Sequence, residues 1–212
     1  MTLKALVVLA VLTYTNSQPR EIGTNSHYQK RIYPGSVKER LKTPPLPMPG
    51  FDLQAWSGQW YFQYHKAPCS WAVSEEFSDY TQFTELHGNV ALYHETMRNH
   101  DLCNSVTSSL RITGPGTFIG NDPVGDNWSG KVIVADTDYK TYCITWGCTK
   151  WSAFYNTCED PWIYIKTRQM NPHREVLRRI EMALYKLWGI SINQLTRIIH
   201  GRPCSARGKL AY

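Results

Sequence analysis

The sequence predicts an all-β protein: an eight-stranded antiparallel up-and-down β-barrel, or calyx, with one C-terminal α-helix packed outside it. Three observations carry that expectation. Between Phe51 and Arg168, short β-rich runs recur, broken by Gly, Asn, Asp and Pro. Most connections are short, which favours an antiparallel meander, and closing such a sheet into a barrel removes its edges. After the runs, the hydrophobic period switches to the helical value. At 212 residues and 42% hydrophobic, the chain suits one domain with tails.

The elements follow in order. Residues 1–17 read as a signal peptide: Lys4, then an apolar run from Ala5 to Leu12, then Thr15-Asn16-Ser17 before a cut. The apolar run is too short to span a bilayer, and no later run is long enough. The mature chain is expected to be secreted and extracellular. Residues 18–50 form a basic, Pro-rich extension, with a dibasic Lys30-Arg31 and the stretch TPPLPMP from Thr43 to Pro49, which excludes helix and central strand there. Residues 51–204 form the barrel domain, with strands near 58–66, 77–85, 90–98, 104–112, 115–120, 129–136, 140–148 and 161–168. The helix spans about 172–188, opened by Asn171-Pro172 and closed by Gly189. Its apolar face is Val176, Leu177, Ile180, Ala183, Leu184, Leu187 and Trp188. Leu195 to His200 could add a short ninth strand, and residues 205–212 are a basic tail.

Charge and motifs exclude several classes. The formal net charge of +6 is concentrated in the flanks. Residues 18–50 carry Arg20, Lys30, Arg31, Lys38, Arg40 and Lys42 against Glu21 and Glu39, and the C-terminal end carries Arg202, Arg207 and Lys209. The folded part is therefore near neutral and has no nucleic-acid footprint. The histidines, among them His65, His87, His94 and His100, show no metal-ligand spacing, and no metal or other cofactor is required. Asn127-Trp128-Ser129 is an N-glycosylation acceptor. Six cysteines suit an oxidising compartment, and their fifteen possible pairings stay open on spacing alone.

Gly58-Gln59-Trp60, at the start of the first strand, could be ordinary core or the floor of a container. Three landmarks in order favour the container. Phe51-Asp52 precedes Gly58-x-Trp60; Thr137-Asp138-Tyr139 lies inside VADTDYKTYCITWGC; Arg168 ends the last barrel strand, just before the helix. In this the chain resembles the lipocalins, in particular their secreted apolipoprotein D and retinol-binding types, over about residues 44–204. The resemblance implies that Gly58, Trp60, Thr137, Asp138, Tyr139 and Arg168 hold the closed end together and are not catalysts. It also implies disulfides between Cys148 and Cys158 and between Cys103 and Cys204. Cys69 and Cys143 then remain, and pairing them would require the loop after the first strand to fold inward.

If Trp60 points inward, strand alternation carries Phe62 and Tyr64 with it. Tyr80 and Tyr93 are further aromatic candidates. The resemblance points Cys143, Thr145, Trp162 and Tyr164 inward, with Val132 and Val134 following. The expected cavity is aromatic and mostly uncharged. It implies extracellular binding and transport of a small hydrophobic ligand: a retinoid, carotenoid, bilin, sterol or fatty acid. Two other readings compete. One is an extracellular matrix or interaction protein, whose basic 18–50 segment meets an acidic polymer or a cell-surface receptor. The other is a thiol-dependent enzyme of the same family, an isomerase, using Cys143.

Overall fold

The computed structural model of the chain describes residues 35–66, 77–121, 130–202 and 204. The signal segment, Lys30-Arg31, Cys69, Asn127 and the tail from 205 lie outside the described residues. Two short helices, α1 (Val37–Leu41) and α2 (Leu53–Trp56), precede the barrel. The strands are β1 (Gly58–Lys66), β2 (Phe77–His87), β3 (Val90–Asn99), β4 (Leu102–Gly114), β5 (Thr117–Asn121), β6 (Lys131–Thr137), β7 (Tyr142–Cys148) and β10 (Pro161–Thr167). Each is antiparallel to the next, and β10 pairs back onto β1, which closes an eight-stranded barrel. A small hairpin of β8 (Trp151–Ser152) and β9 (Thr157–Cys158) interrupts the β7–β10 connection. The expected ninth strand is present as β11 (Thr196–Arg197), which lies against β1.

The long helix α3 (Arg174–Trp188) starts later than Asn171-Pro172 predicts. His173 is the N-cap, its Nδ1 accepting from Glu175 N at 3.3 Å. Gly189 stops the helix in the left-handed conformation at φ 64°, as a C-terminal glycine does without steric cost. Ile180, Ala183, Leu184 and Trp188 on the predicted face are buried.

Two apolar cores result, one on each side of the barrel wall. The outer core packs α3 against Ile133, Ile144, Trp146, Ile163 and Ile165. The inner core fills the lumen around Trp56, Trp60, Phe62, Phe118 and Trp162. Strands β7 and β10 are buried at every position, because a strand covered on both faces has no solvent side.

The Pro-rich lead-in closes over the outer core. Ser36 caps α1, Leu41 is fully buried, and the Leu41 carbonyl accepts from Trp146 Nε1 at 2.8 Å. Arg40 Nη1 donates to the Gly189 carbonyl at 2.6 Å, and Cys158 N donates to the Lys42 carbonyl at 2.9 Å. Disulfides link Cys148 to Cys158 and Cys103 to Cys204, as the resemblance implies.

Candidate functional site in the barrel lumen

The closed end is built on one guanidinium. Arg168 lies over the Trp60 ring, 3.6 Å from its centroid. It donates to the carbonyls of Gln59 at 2.8 Å, Tyr139 at 3.0 Å, Ala55 at 2.8 Å and Trp56 at 3.1 Å. Gly58 sits at φ 90°, a backbone angle that side-chain-bearing residues rarely adopt. Trp60 Nε1 donates to the Trp56 carbonyl at 2.8 Å.

The turn between β6 and β7 completes this end. Thr137 Oγ1 donates to the Tyr142 carbonyl at 2.6 Å and accepts from Tyr139 N at 2.9 Å. The Asp138 carboxylate accepts from the N–H groups of Lys140, Thr141 and Tyr142, from the Thr141 hydroxyl and from Arg179 on α3. Partial burial opposes its charge, but the bonds from Thr141 and Tyr142 and the Arg179 charge outweigh that and hold the carboxyl below the usual carboxylate range.

Above this end the lumen rises in layers set by strand register. Nine of the ten predicted lining residues face it: Phe62, Tyr80, Tyr93, Val132, Val134, Cys143, Trp162 and Tyr164 in the inner core, and Thr145 between them by alternation. Phe62 stacks on Tyr80 with centroids 3.8 Å apart and meets Tyr164 edge-on at 4.9 Å. Gly147 leaves the space that the Trp162 indole occupies, since a Cβ there would overlap the ring.

Tyr64 is the exception. A β-bulge between Phe62 and Tyr64 adds one residue to β1 and reverses the alternation. Tyr64 turns to the outer core opposite Ile165, and His65 faces inward opposite Tyr164. The bulged Gln63 is held by its own amide, which donates to Thr167 Oγ1 and to the Met170 carbonyl, both at 3.0 Å.

Cys143 is a free, buried thiol, which settles for this residue the pairing that the sequence leaves open. It sits low in the barrel, where its sulfur accepts from Trp56 Nε1 at 3.1 Å, whereas Cys69 follows the far, open end of β1. Burial pushes the thiol up to about 11 despite the nearby Lys166 charge, so it is protonated at neutral pH.

The lumen is also less uncharged than the sequence predicts. Lys166 follows Trp162 and Tyr164 on the inward face of β10 and is 3% exposed. Its Nζ donates to Gln82 Oε1 at 2.7 Å and lies 4.8 Å from the Phe62 centroid. Burial lowers its pKa, while Cys143 and Glu95 push the other way. Glu95 faces it from β3, and burial raises that carboxyl to about 7 against the pull of Lys166 and a hydrogen bond from Tyr80. Two buried polar atoms of lumen residues have no partner among the described residues: the Tyr93 hydroxyl and His65 Nδ1. Burial first, then Lys66, lowers the His65 pKa to about 4, so the ring is neutral at physiological pH. Trp56, fully buried and 5.4 Å from Phe118, is a second floor indole beside Trp60. The alternation 162-164-166 was the available signal for Lys166; a lysine is passed over because it is so seldom buried.

No sequence-family profile matches the chain, and no curated protein matches it in sequence. Solved structures do match in shape. Per a 4, a major allergen from cockroaches, is 17% identical at a TM-score of 0.57, covering 72% of this chain and 90% of its own. Apocrustacyanin C1 is 13% identical at 0.55, covering 71% and 81%. Lobster apocrustacyanin A1 is 13% identical at 0.55, covering 71% and 80%. At such identities the likeness is one of fold.

Proposed function

We infer from the lipocalin fold of this chain, and from the lining of its lumen, that it binds a small hydrophobic ligand inside the barrel and carries it outside the cell. One observation supports the binding most directly. The inner face presents a continuous aromatic wall, yet it keeps the Tyr93 hydroxyl and His65 Nδ1 buried without a partner among the described residues. Such groups cost about 1–3 kcal/mol each while unsatisfied, and a ligand that reaches them recovers that. The rest of the affinity comes from burial, roughly 25 cal/mol per Å² of apolar surface. The two disulfides support the extracellular setting, where such bonds persist.

The competing readings lose support. A thiol held near 11, with Trp56 as its hydrogen-bond donor, is a poor nucleophile at neutral pH. In the basic lead-in, Lys38 lies 3.6 Å from Asp160, Lys42 pairs with Glu39 at 2.9 Å and Arg40 is tied to Gly189, so these bases are engaged within the fold.

Purified native protein, extracted and examined by mass spectrometry, is expected to release an apolar molecule. The recombinant chain is expected to bind a member of a panel of retinoids, carotenoids, bilins, sterols and fatty acids, read by tryptophan quenching. A protein that yields no ligand and binds none of the panel overturns the proposal.

A further inference from the structure

Hydrogen-bonding capacity that the described residues leave unused lies at two adjacent depths of the lumen, His65 Nδ1 opposite Tyr164 and, one layer lower, Lys166 with the Tyr93 hydroxyl, and the charge is at the lower one. Lys166 pairs across the sheet with Phe62 on one side and Cys143 on the other, one layer above the two floor indoles. An ammonium has three protons and no acceptor. Here one proton goes to Gln82 Oε1, and the nitrogen otherwise lies over the rings of Phe62 at 4.8 Å and Tyr93 at 5.6 Å. The Gln82 amide nitrogen donates to Thr84 Oγ1 at 2.7 Å, which fixes the amide with Oε1 toward the ammonium. Glu95 acts on Lys166 through its charge, but the hydrogen bond it accepts comes from Tyr80 and no direct ion pair joins it to Lys166. The Tyr93 hydroxyl, whose ring Lys166 overlies, has no partner among the described residues.

Two donors at one depth, with too few acceptors, define the missing chemistry. A buried ammonium is stable only when paired and hydrogen-bonded. A carboxylate supplies both a negative charge and two acceptor oxygens, and charge-assisted bonds to it are the strong ones. The layers above carry no charge: Tyr164 and Val134 with Thr145 and the neutral His65, then Trp162 and Val132. A ligand with its polar end toward the mouth would cover Lys166 and Tyr93 with hydrocarbon and leave them stranded.

We propose that the lumen takes an elongated apolar molecule with a carboxylate at one end, inserted carboxylate first, held by Lys166 Nζ and the Tyr93 hydroxyl above the Trp56–Trp60 floor. The hydrocarbon then runs up the barrel past Tyr164 and Trp162. This rests on the carrier reading above and narrows it to one ligand chemistry and one orientation.

The test titrates the full chain with cis-parinaric acid and with its methyl ester, which keeps the chain and removes the charge, following probe fluorescence. The acid is expected to bind about 10- to 100-fold more tightly than the ester, the worth of a hydrogen bond to a charged group. Lys166→Met and Tyr93→Phe are each expected to close most of that gap, read as the ratio of acid to ester affinity within each variant. Equal binding of acid and ester by the unaltered chain overturns the inference but leaves the carrier reading standing. A gap that survives both substitutions also overturns it. Binding of neither probe, nor of any molecule in the wider panel, overturns the carrier reading and this inference together. Should Lys166→Met fail to fold, Tyr93→Phe decides alone, since it removes one oxygen that bonds nothing among the described residues.

Discussion

Arg168 directs its guanidinium at carbonyls from α2, β1 and the β6–β7 turn, and at the face of Trp60. A planar fork suits that task and an ammonium does not. Arg168→Ala is expected to cost about 2–4 kcal/mol in urea denaturation, with Arg168→Lys recovering only part. Asp138 adds a pH signature. Its folded pKa lies below the ordinary carboxylate value, so its stabilisation is present above about pH 4 and is lost as pH falls through the folded value. Asp138→Asn should therefore destabilise the protein at pH 7 and make little difference near pH 2. Glu95 has the opposite sign. Its pKa is raised from about 4.5 to about 7, so its ionisation costs stability progressively over that window. Glu95→Gln should flatten the decline in melting temperature between those pH values. The landmark residues were legible because their spacing is diagnostic. Lys166 showed only in the 162-164-166 alternation and Glu95 not at all, because a buried charge is recognised by its surroundings, and those come from four different strands.

At the scale of elements, periodicity carried most of the reading. The eight strands and the helix stand within a few residues of their expected bounds, since alternation and the 3.6-residue stripe are properties of local sequence. Leu184→Ala on α3 is expected to cost about 2–5 kcal/mol, the usual result of emptying a fully buried leucine site. Two features escaped that logic. The lead-in helix Val37–Leu41 has five residues, too few to show a period, and it is held by what it docks on. The bulge in β1 depends on Gln63 finding acceptors far along the chain, at Thr167 and Met170. That bulge is testable by function. Tyr64→Ala should lower stability and leave ligand affinity unchanged, whereas His65→Ala should alter ligand affinity; fluorescence titration beside thermal melts separates the two outcomes.

The whole molecule is a wall between two cores. Its inner core is the candidate site, and its outer core, with α3 and the lead-in, holds the wall in shape. The bridge from Cys103 to Cys204, residues 101 apart, ties the C-terminal segment to β4, and Asp79 adds bonds from Gly201 N at 2.8 Å and Arg202 N at 3.0 Å. Replacing both cysteines with serine is expected to cost about 3–5 kcal/mol in urea denaturation, from the loop released in the unfolded chain. Closure itself has a consequence in time. The strand that seals the barrel, β10, is the last of the eight in the chain, and it zips onto both β7 and β1. During synthesis, every earlier strand has left the ribosome before the seam can form, and both edges of the unfinished sheet are open to neighbouring chains. A nascent chain halted before Pro161 should therefore be captured by chaperones and be protease-sensitive. Resistance should be gained only in a chain extended through Cys204, when the last strand, Arg168, the covering helix and the C-terminal bridge are all present.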